Sequence, residues 1–409
     1  MSPAGSETRS SRAPRPWLWP PILVVGAFYF LFVGLRIAQE GVLWFVHLGR
    51  QTLASADTSS ALADLEWQSE IGYDGQYYFA LAVDPANAAD YMDGKAGYVY
   101  ARPFFPALSR LVSLGQVDYV PHAMLLVNVS AVLLGTAALA AWLRRNDVSP
   151  WFSAIYGLYP GLVFSVFHDL TEPLAYGLVA IALWLFDPKD GRRLAAAAAT
   201  LSLAALTRET VVLFALAGAA ALVPCRIVDR GRWWSWSRWR RPVVFLVVTT
   251  APLLVLKAIV GAVLQEPAQE SPGGAVALIP FYGIASYWPW GAHHTLVVVS
   301  VVVPTVLAIA VGLPLLTDMR WRLCGALLML NAAAFVVFLP EVVYVDYGAA
   351  GRAAIGVVLA TICCIPAWKA LSAGERRPPL HLVSLTWSLP WYFIAAVALG
   401  LPALALLTS

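Results

Sequence analysis

Asp74 is the carboxylic acid in this sequence whose surroundings best suit chemistry. It lies in residues 71–85, within the first long polar interval of an otherwise apolar chain. Aromatic side chains frame it, namely Tyr73, Tyr77, Tyr78 and Phe79. A carboxylate in such a frame can accept the proton of an attacking hydroxyl group, so Asp74 is the candidate general base. The alternative is that Asp74 only caps the N-terminus of a short helix.

Further ionisable residues interrupt apolar runs later in the chain. Such groups are costly at membrane depth, so each of them is a candidate for ligand binding. They are His168, Asp169, Glu172, Arg208, Lys257 and Arg352.

Each of these residues also has a structural alternative. Residues 168–173 are compatible with an ordinary solvated turn that ends in a proline at a helix start. Arg208 and the adjacent Glu209 are compatible with an internal ion pair that only stabilises packing. Lys257 is compatible with a side chain that extends to the membrane surface, and Arg352 with an anchor at the interface.

Motifs typical of soluble enzymes are absent from the sequence. There is no P-loop, no dinucleotide-binding glycine pattern, no GxSxG motif and no HExxH motif. His293 and His294 are adjacent and point to different faces of a helix, so they do not form a metal site alone. The cysteines lie in or beside apolar runs without metal-ligand spacing, which favours packing roles: Cys225, Cys324, Cys363 and Cys364. We therefore expect that no cofactor is required; a divalent metal is compatible with the sequence but is not indicated by it.

The composition places these residues in a membrane protein. Of the 409 residues, 60% are hydrophobic and only 12% are charged, whereas soluble domains carry roughly 25% charged residues. The net charge of +3 is too small to indicate a nucleic-acid partner. The expected partner surface is a lipid bilayer.

Apolar runs of membrane-spanning length recur through the chain, and about 11 of them are predicted as transmembrane helices. The spans are 17–38, 121–143, 149–168, 172–187, 193–208, 209–226, 242–264, 293–317, 321–340, 352–370 and 382–407. The first lacks a small-x-small cleavage site, so it is interpreted as a retained helix and not as a signal peptide. The segments between 172 and 226 are short, which is compatible with tilted helices or re-entrant pairs.

Charged residues orient these segments. Basic residues fall mainly in alternate loops, which places the N-terminus and those loops in the cytoplasm. The acids fall mainly in the opposite loops, so acidic chemistry is expected on the extracytoplasmic face. The resulting organisation has four parts: a cytoplasmic tail 1–16, a transmembrane module 17–226 with the extracytoplasmic loop 37–120, a basic Trp-rich cytoplasmic loop 227–241, and a C-terminal region 242–409 with the extracytoplasmic loop 265–292. The loop 227–241 is interpreted as an anchor on anionic lipid.

Several motifs between residues 70 and 215 resemble, in order, those of PIG-V-like mannosyltransferases of the GT-C superfamily. Residues 73–78 (Tyr-Asp-Gly-Gln-Tyr-Tyr) are similar to the Trp-Asp-x-x-Trp-Tyr motif of the first luminal loop in that family. Residues 102–106 resemble its Phe-Phe-Pro element, and Asn128 opens a similar second helix. Residues 159–164, 171–174 and 206–208 resemble its Asn-Pro-x-x-x-Phe, Glu-Ser-Leu and Thr-Arg elements. The segment 73–78 also resembles bacterial membrane proteins associated with cell-surface glycopolymers. Pro173 and Glu209 depart from the family pattern, and the C-terminal half matches none of its motifs.

The resemblance implies an all-α polytopic membrane protein: a GT-C-like bundle of about 11 transmembrane helices with a long first extracytoplasmic loop that carries interfacial helices. It implies a glycosyltransferase of the bacterial plasma membrane that uses a polyprenyl-phosphate-linked sugar. The family resemblance favours mannose as that sugar. The acceptor would be a hydroxyl group of a glycan, a lipid or a protein.

This mechanism is a single inverting displacement in which Asp74 acts as base and a cation stabilises the departing phosphate. Arg208 and Arg352 are the first candidates for that cation, and Arg102 and Lys257 are ranked after them. The other residues expected to bind substrate are Tyr73, Gln76, Tyr77, His168, Asp169 and Glu172.

Two other classes of protein share many of these features. A transporter or flippase for a lipid-linked sugar would need the same helices and phosphate-binding cations, but no acid fixed on an aromatic loop motif. Pro-interrupted segments such as 312–314 are compatible with a transporter, although no internal repeat is evident. A non-catalytic scaffold for glycan assembly is the third alternative.

Overall fold

The computed structural model describes residues 17–51, 62, 65, 67–92, 94–223, 236–264, 279–318, 320–345 and 347–371. Within these ranges the chain forms helices, turns and loops, with an isolated bridge between Gly49 and Ser69. This confirms the all-α part of the predicted fold class. The predicted tail 1–16, most of loop 227–241, the first half of loop 265–292 and the segment 382–407 lie outside the described residues.

Helices make up most of the described residues. In chain order the α-helices are α1 (Trp19–Glu40), α2 (Gly75–Val83), α3 (Ala96–Tyr100), α4 (Phe104–Val112), α5 (Val120–Arg145), α6 (Ser153–Gly157), α7 (Pro160–Phe167), α8 (Glu172–Leu185), α9 (Gly191–Thr207), α10 (Val212–Leu222), α11 (Trp236–Leu264), α12 (Tyr282–Ala285), α13 (Ala292–Val297), α14 (Val303–Leu315), α15 (Arg322–Phe338), α16 (Tyr347–Ala353) and α17 (Ile355–Leu371). A π-helical stretch, Val298–Val302, joins α13 to α14. Short 3-10 helices are Val42–Phe45, Ala88–Tyr91, Val117–Tyr119, Pro150–Phe152, Glu209–Val211 and Glu341–Tyr344.

Several helices are long and apolar enough to cross a membrane. Among the described residues there are 4 such spans, or up to 6 if each bent helix pair is one span. The four are Trp19–Glu40, Val117–Arg145, Trp239–Leu264 and Ala292–Leu315. Three further apolar helices, Glu172–Leu185, Glu209–Leu222 and Arg322–Phe335, have only 10–17 residues. A multi-pass membrane protein accounts for these helices, while the number of about 11 spans stays a prediction.

Two predicted segments, 149–168 and 352–370, include a bend between two helices. In the first, α6 and α7 meet at 46° because Tyr159 takes an extended conformation before Pro160, as residues before proline prefer. In the second, α16 and α17 also meet at 46°. The sequence had predicted that Arg352 opens a helix. In the structure Arg352 lies instead in the last turn of α16.

Helix α8 is central to the packing of the described helices, because it packs extensively against both α5 and α9. Gly177 on α8 lies so close to α5 that a Cβ atom there would overlap the backbone of Ala131. In contrast, α1 and α11 leave much of their apolar surface exposed, including Phe30 and Val263. Exposed apolar faces of this length are typical of helices that contact lipid.

Two close backbone approaches bring distant parts of the chain to one place. A Cβ atom at Gly161 would overlap the backbone of Gly351, so α7 and α16 can meet only through glycine. This contact places Arg352 beside the turn that follows α7. Likewise, a Cβ atom at Gly75 would overlap the carbonyl group of His168, so the start of α2 rests directly on that turn.

Candidate functional site

The segment that leads into α2 is fixed by backbone contacts made by Gln76. Its Oε1 accepts a hydrogen bond from the Gly49 amide at 2.9 Å, and its Nε2 donates to the Ile71 carbonyl at 3.1 Å. The amide of Tyr73 donates to the His47 carbonyl at 3.0 Å. Both ends of the Gln76 amide are thus used to position the loop, and Gln76 does not line the cavity described below.

Asp74 occupies the N-cap position of α2, but its side chain makes no capping hydrogen bond. The carboxylate is 40% exposed, and its Oδ2 lies 3.9 Å from Nη2 of Arg352. The structure therefore gives no capping role to the side chain. It leaves the carboxylate accessible next to a guanidinium group.

Arg352, Glu172 and Arg208 form a buried ion-pair network beside Asp74. Oε1 of Glu172, a fully buried carboxylate, accepts a hydrogen bond from Nε of Arg352 at 2.7 Å and lies 3.1 Å from Nη1 of Arg208. Nη1 of Arg352 also donates to the Tyr73 hydroxyl at 2.8 Å. Burial raises the pKa of Tyr73 although Arg352 opposes this, so the hydroxyl stays protonated. Two arginines therefore share one carboxylate, which fixes both guanidinium groups in place.

Arg102 forms a second network with Glu209 that does not include Arg208. Its Nε and Nη2 donate to the two Glu209 oxygens at 2.9 and 2.5 Å, in the bidentate geometry typical of strong Arg–carboxylate pairs. Its Nη1 donates to the Tyr78 hydroxyl at 3.0 Å, and the guanidinium lies 3.7 Å from the Tyr98 ring centroid. The predicted alternative of an internal pair between Arg208 and its neighbour is therefore wrong, because each residue binds a different partner.

The charge of Arg102 is secured by this surrounding network. Burial alone would lower the pKa of the guanidinium, but Glu209 and the two neighbouring tyrosines outweigh burial and raise it well above its usual value. The side chain is only 3% exposed. Arg102 is thus fully committed to protein partners, and its role at the site is to hold Glu209 and Tyr78.

Asp74 opens onto a cavity of about 600 Å³. One part of its lining, here called the polar lining, carries charged groups: Asp74, Lys95, Arg208, Glu209 and Arg352. Another part, here called the apolar lining, comes mainly from the C-terminal helices: Leu213, Phe335, Leu339, Val342, Val343 and Val357. A cavity of this kind suits a ligand that has a charged head and a hydrocarbon portion.

The charges at the cavity do not cancel. The basic groups in and directly behind the polar lining are Lys95, Arg102, Arg208 and Arg352, and the acidic groups are Asp74, Glu172 and Glu209. Four positive and three negative charges leave a formal net charge of +1. An anionic ligand would therefore improve the electrostatic balance of the site.

Besides Gln76, Arg102 and Glu172, whose contacts are described above, three more predicted site residues do not line the cavity. His168 stacks against Phe164 and contacts the tilted ring of Tyr73, with ring centroids 4.0 and 4.5 Å away, and so supports the segment that carries Asp74. Lys257 is on α11 and is absent from the cavity lining. Asp169 is fully buried, where its Oδ1 accepts from Nδ2 of Asn128 at 3.3 Å.

The environment of Asp169 favours the uncharged carboxylic acid. Burial raises the pKa of Asp169 well above its usual value, and the smaller effect of Asn128 acts in the opposite direction. Asp169 Oδ2 and Asn128 Oδ1 are buried, and neither has a hydrogen-bond partner among the described residues. A protonated Asp169 could donate a hydrogen bond to the Asn128 oxygen, which would satisfy both atoms.

Lys95 belongs to the polar lining and was not predicted from the sequence. Its Nζ donates to the Tyr77 hydroxyl at 3.0 Å and lies 4.7 Å from the centroid of that ring. In the sequence it follows Gly94 in a polar turn, where a solvated lysine is the ordinary expectation. Tyr98 and Tyr176, which also line the cavity, carried no sequence signal beyond aromatic character.

No known protein family identifies this site. Models of known protein families give no match to the chain, and curated proteins give none either. Among the described residues, no group of three or more His, Cys, Asp or Glu side chains is arranged to hold a metal ion. The geometry of the cavity and the sequence motifs around it are therefore the grounds for a proposed function.

Proposed function

We propose that this protein is a membrane glycosyltransferase that moves a sugar from a polyprenyl-phosphate donor to an acceptor hydroxyl group. The supporting observation is the cavity itself, where the Asp74 carboxylate and two arginines meet an apolar lining. The sugar is mannose by the sequence resemblance. The acceptor is a hydroxyl group of a glycan, a lipid or a protein, and the membrane is the bacterial plasma membrane with the site on its extracytoplasmic side.

The two parts of the cavity lining suit the two parts of the donor. The hydrocarbon chain would lie against the apolar lining, where burial of each CH₂ group contributes about 0.8 kcal/mol. The phosphate would bind Arg208 and Arg352, because these two guanidinium groups share the single carboxylate of Glu172. Glu172 holds both groups in position before the donor arrives, so little reorganisation is needed during transfer.

The transfer step follows from the position of Asp74. The carboxylate takes the proton of the acceptor hydroxyl while the acceptor oxygen forms a bond to the anomeric carbon of the sugar. The bond between that carbon and the phosphate oxygen breaks, and its electron pair leaves with the polyprenyl phosphate. Arg208 and Arg352 stabilise the added negative charge on the phosphate, and Asp74 later releases its proton to solvent. A single displacement inverts the anomeric configuration.

The proposal is tested with purified protein in detergent micelles, where only one aqueous compartment exists. Short-chain polyprenyl-phosphate mannose, labelled in the sugar, is mixed with an alkyl glycoside, a serine peptide or water as acceptor. An enzyme yields labelled product of inverted configuration. A flippase yields no product in micelles but moves the labelled donor across the membrane of proteoliposomes. That combination of results would contradict the proposal.

A further inference from the structure

The three tyrosines around Asp74 each accept a hydrogen bond from a different cation. Tyr77 and Tyr78 belong to the first half of α2, and Tyr73 directly precedes Asp74, the N-cap residue of that helix. The pairs are Tyr73 with Arg352 at 2.8 Å, Tyr77 with Lys95 at 3.0 Å, and Tyr78 with Arg102 at 3.0 Å. The segment thus presents Asp74 within a row of tyrosine–cation pairs.

The three cations differ in whether a carboxylate neutralises them. Arg352 donates to Glu172 at 2.7 Å, and Arg102 donates to Glu209 at 2.9 Å. Lys95 has no carboxylate oxygen within 4.0 Å in the part of the chain that the structure describes. Its charge is therefore the one most available to a ligand.

The position of Lys95 suits an anion better than a neutral group. Lys95 and Tyr77 line the same cavity as Asp74, and Asp74 and Tyr77 are three positions apart at the start of a helix. Residues at this spacing are neighbours on one helix face, so the Tyr77 side chain begins roughly 5 Å along the helix from that of Asp74. Because the Tyr77 oxygen accepts from Lys95, its own proton can be donated to a ligand. An ammonium and a hydroxyl side by side form a receptor for an oxyanion.

We infer that Lys95 and Tyr77 bind a phosphate or carboxylate group of the acceptor, beside the hydroxyl that Asp74 deprotonates. This inference rests on the proposed function, because it assumes that Asp74 faces the acceptor. In the proposed function, Arg208 and Arg352 bind the donor phosphate. A second anion site next to Asp74 would therefore face the acceptor, because Asp74 deprotonates the acceptor hydroxyl. The substrate class is therefore an acidic acceptor, such as a phosphorylated or uronic-acid-containing glycan or glycolipid.

The inference is tested by binding and does not require turnover. Purified protein is saturated with farnesyl phosphate to fill the donor position. It is then titrated with octyl glucoside 6-phosphate and with octyl glucoside, in a detergent of a different head group. We expect the wild type to bind the phosphorylated probe at least tenfold more tightly than the neutral one.

Variants locate the effect. Lys95→Gln should bind the two probes equally, Lys95→Arg should keep most of the preference, and Asp118→Asn, an exposed position, should behave as the wild type. Each variant is used only if its melting temperature matches the wild type. A wild type without preference, or a Lys95→Gln variant that keeps it, would overturn the inference. Weaker binding of farnesyl phosphate by Lys95→Gln, measured without an acceptor probe, would also overturn the inference, because Lys95 would then contact the donor. Since no sugar is transferred, these outcomes are distinct from a failure of the proposed enzyme activity.

Discussion

The polar and apolar linings of one cavity are built on different physical principles. In the polar lining, a few charged groups are fixed by short hydrogen bonds, such as the 2.7 Å contact between Arg352 and Glu172. In the apolar lining, many aliphatic and aromatic groups contribute small contacts without directional bonds. The polar lining can therefore select a chemical group, whereas the apolar lining can only favour a hydrocarbon of sufficient length.

The comparison also shows where the site is vulnerable. A buried charge that loses its partner is strongly destabilising, because nothing else compensates for its burial. A truncated aliphatic side chain loses only its share of a distributed contact. Substitutions in and behind the two linings should therefore differ in both size and kind of effect.

The largest effect on stability is expected from Glu172→Gln. The substitution leaves the Arg208 and Arg352 guanidinium groups buried without their shared negative charge. Loss of one member of a buried ion-pair network typically costs about 3–5 kcal/mol. We expect a large fall in melting temperature of the purified protein in detergent.

Glu70→Gln is the matched control, because Glu70 pairs with Arg50 at the surface. Exposed pairs contribute little to stability, so this variant should melt as the wild type does. If Glu172→Gln melted at the same temperature as Glu70→Gln, the central carboxylate would not organise the polar lining.

A smaller, pH-dependent effect is expected from Asp169→Asn, which tests the layer behind the polar lining. Burial raises the pKa of Asp169 in the folded protein above that of the unfolded chain, which is about 4. The stability contributed by the protonated acid is therefore present below pH 4 and is lost as the pH rises through the folded pKa. The slope is at most about 1.4 kcal/mol per pH unit.

Melting temperatures measured from about pH 5 to pH 8 check this prediction. The wild type should lose stability as the pH rises, and Asp169→Asn should lose less, because an amide does not ionise. Asp118→Asn should keep the wild-type slope, since Asp118 is exposed. Parallel curves for the wild type and Asp169→Asn would contradict a protonated acid at this position.

The smallest effect is expected from Val342→Ala in the apolar lining. The substitution removes about two methyl-sized groups, each of which contributes roughly 0.8 kcal/mol when it is fully buried. Val342 is partly exposed, so its contribution is smaller. We therefore expect less than about tenfold weaker binding of a polyprenyl phosphate. Binding of the tail-less analogue methyl phosphate should not change. An equal loss for both ligands would show that the two linings do not divide the donor between them.

The sequence predicted the separate members of the polar lining better than their partners. Arg208 and Arg352 were identifiable because ionisable groups are rare in apolar surroundings, and Asp74 because aromatic residues frame it. Their pairings were not, because Glu172 and Arg352 are 180 positions apart in the chain. Sequence adjacency was misleading for Arg208 and Glu209, since the backbone changes from extended to 3-10 helix between them and directs the side chains to different partners.

Other features of the site had no local signal. Lys95 has the sequence context of a solvated turn, and only the fold places it in the cavity. The C-terminal half contains no motif, yet it supplies Arg352 and most of the apolar lining. Conversely, Lys257 was a candidate because it interrupts an apolar run, but it lies on α11 and does not line the cavity. The helical class followed from composition, and the bend between α6 and α7 has a local cause at Pro160. The close approach of Gly161 to Gly351, in contrast, depends on tertiary packing.

The most direct measurement of the central claim is the rate of sugar transfer by Asp74→Asn. The substitution removes the base but little volume, and the carboxylate makes no capping hydrogen bond, so the melting temperature should not change. Loss of a general base should lower transfer from polyprenyl-phosphate mannose by about 10²- to 10⁴-fold, while Asp118→Asn keeps the wild-type rate. Transfer by folded Asp74→Asn at the wild-type rate would contradict the role of Asp74 and, with it, the proposed mechanism.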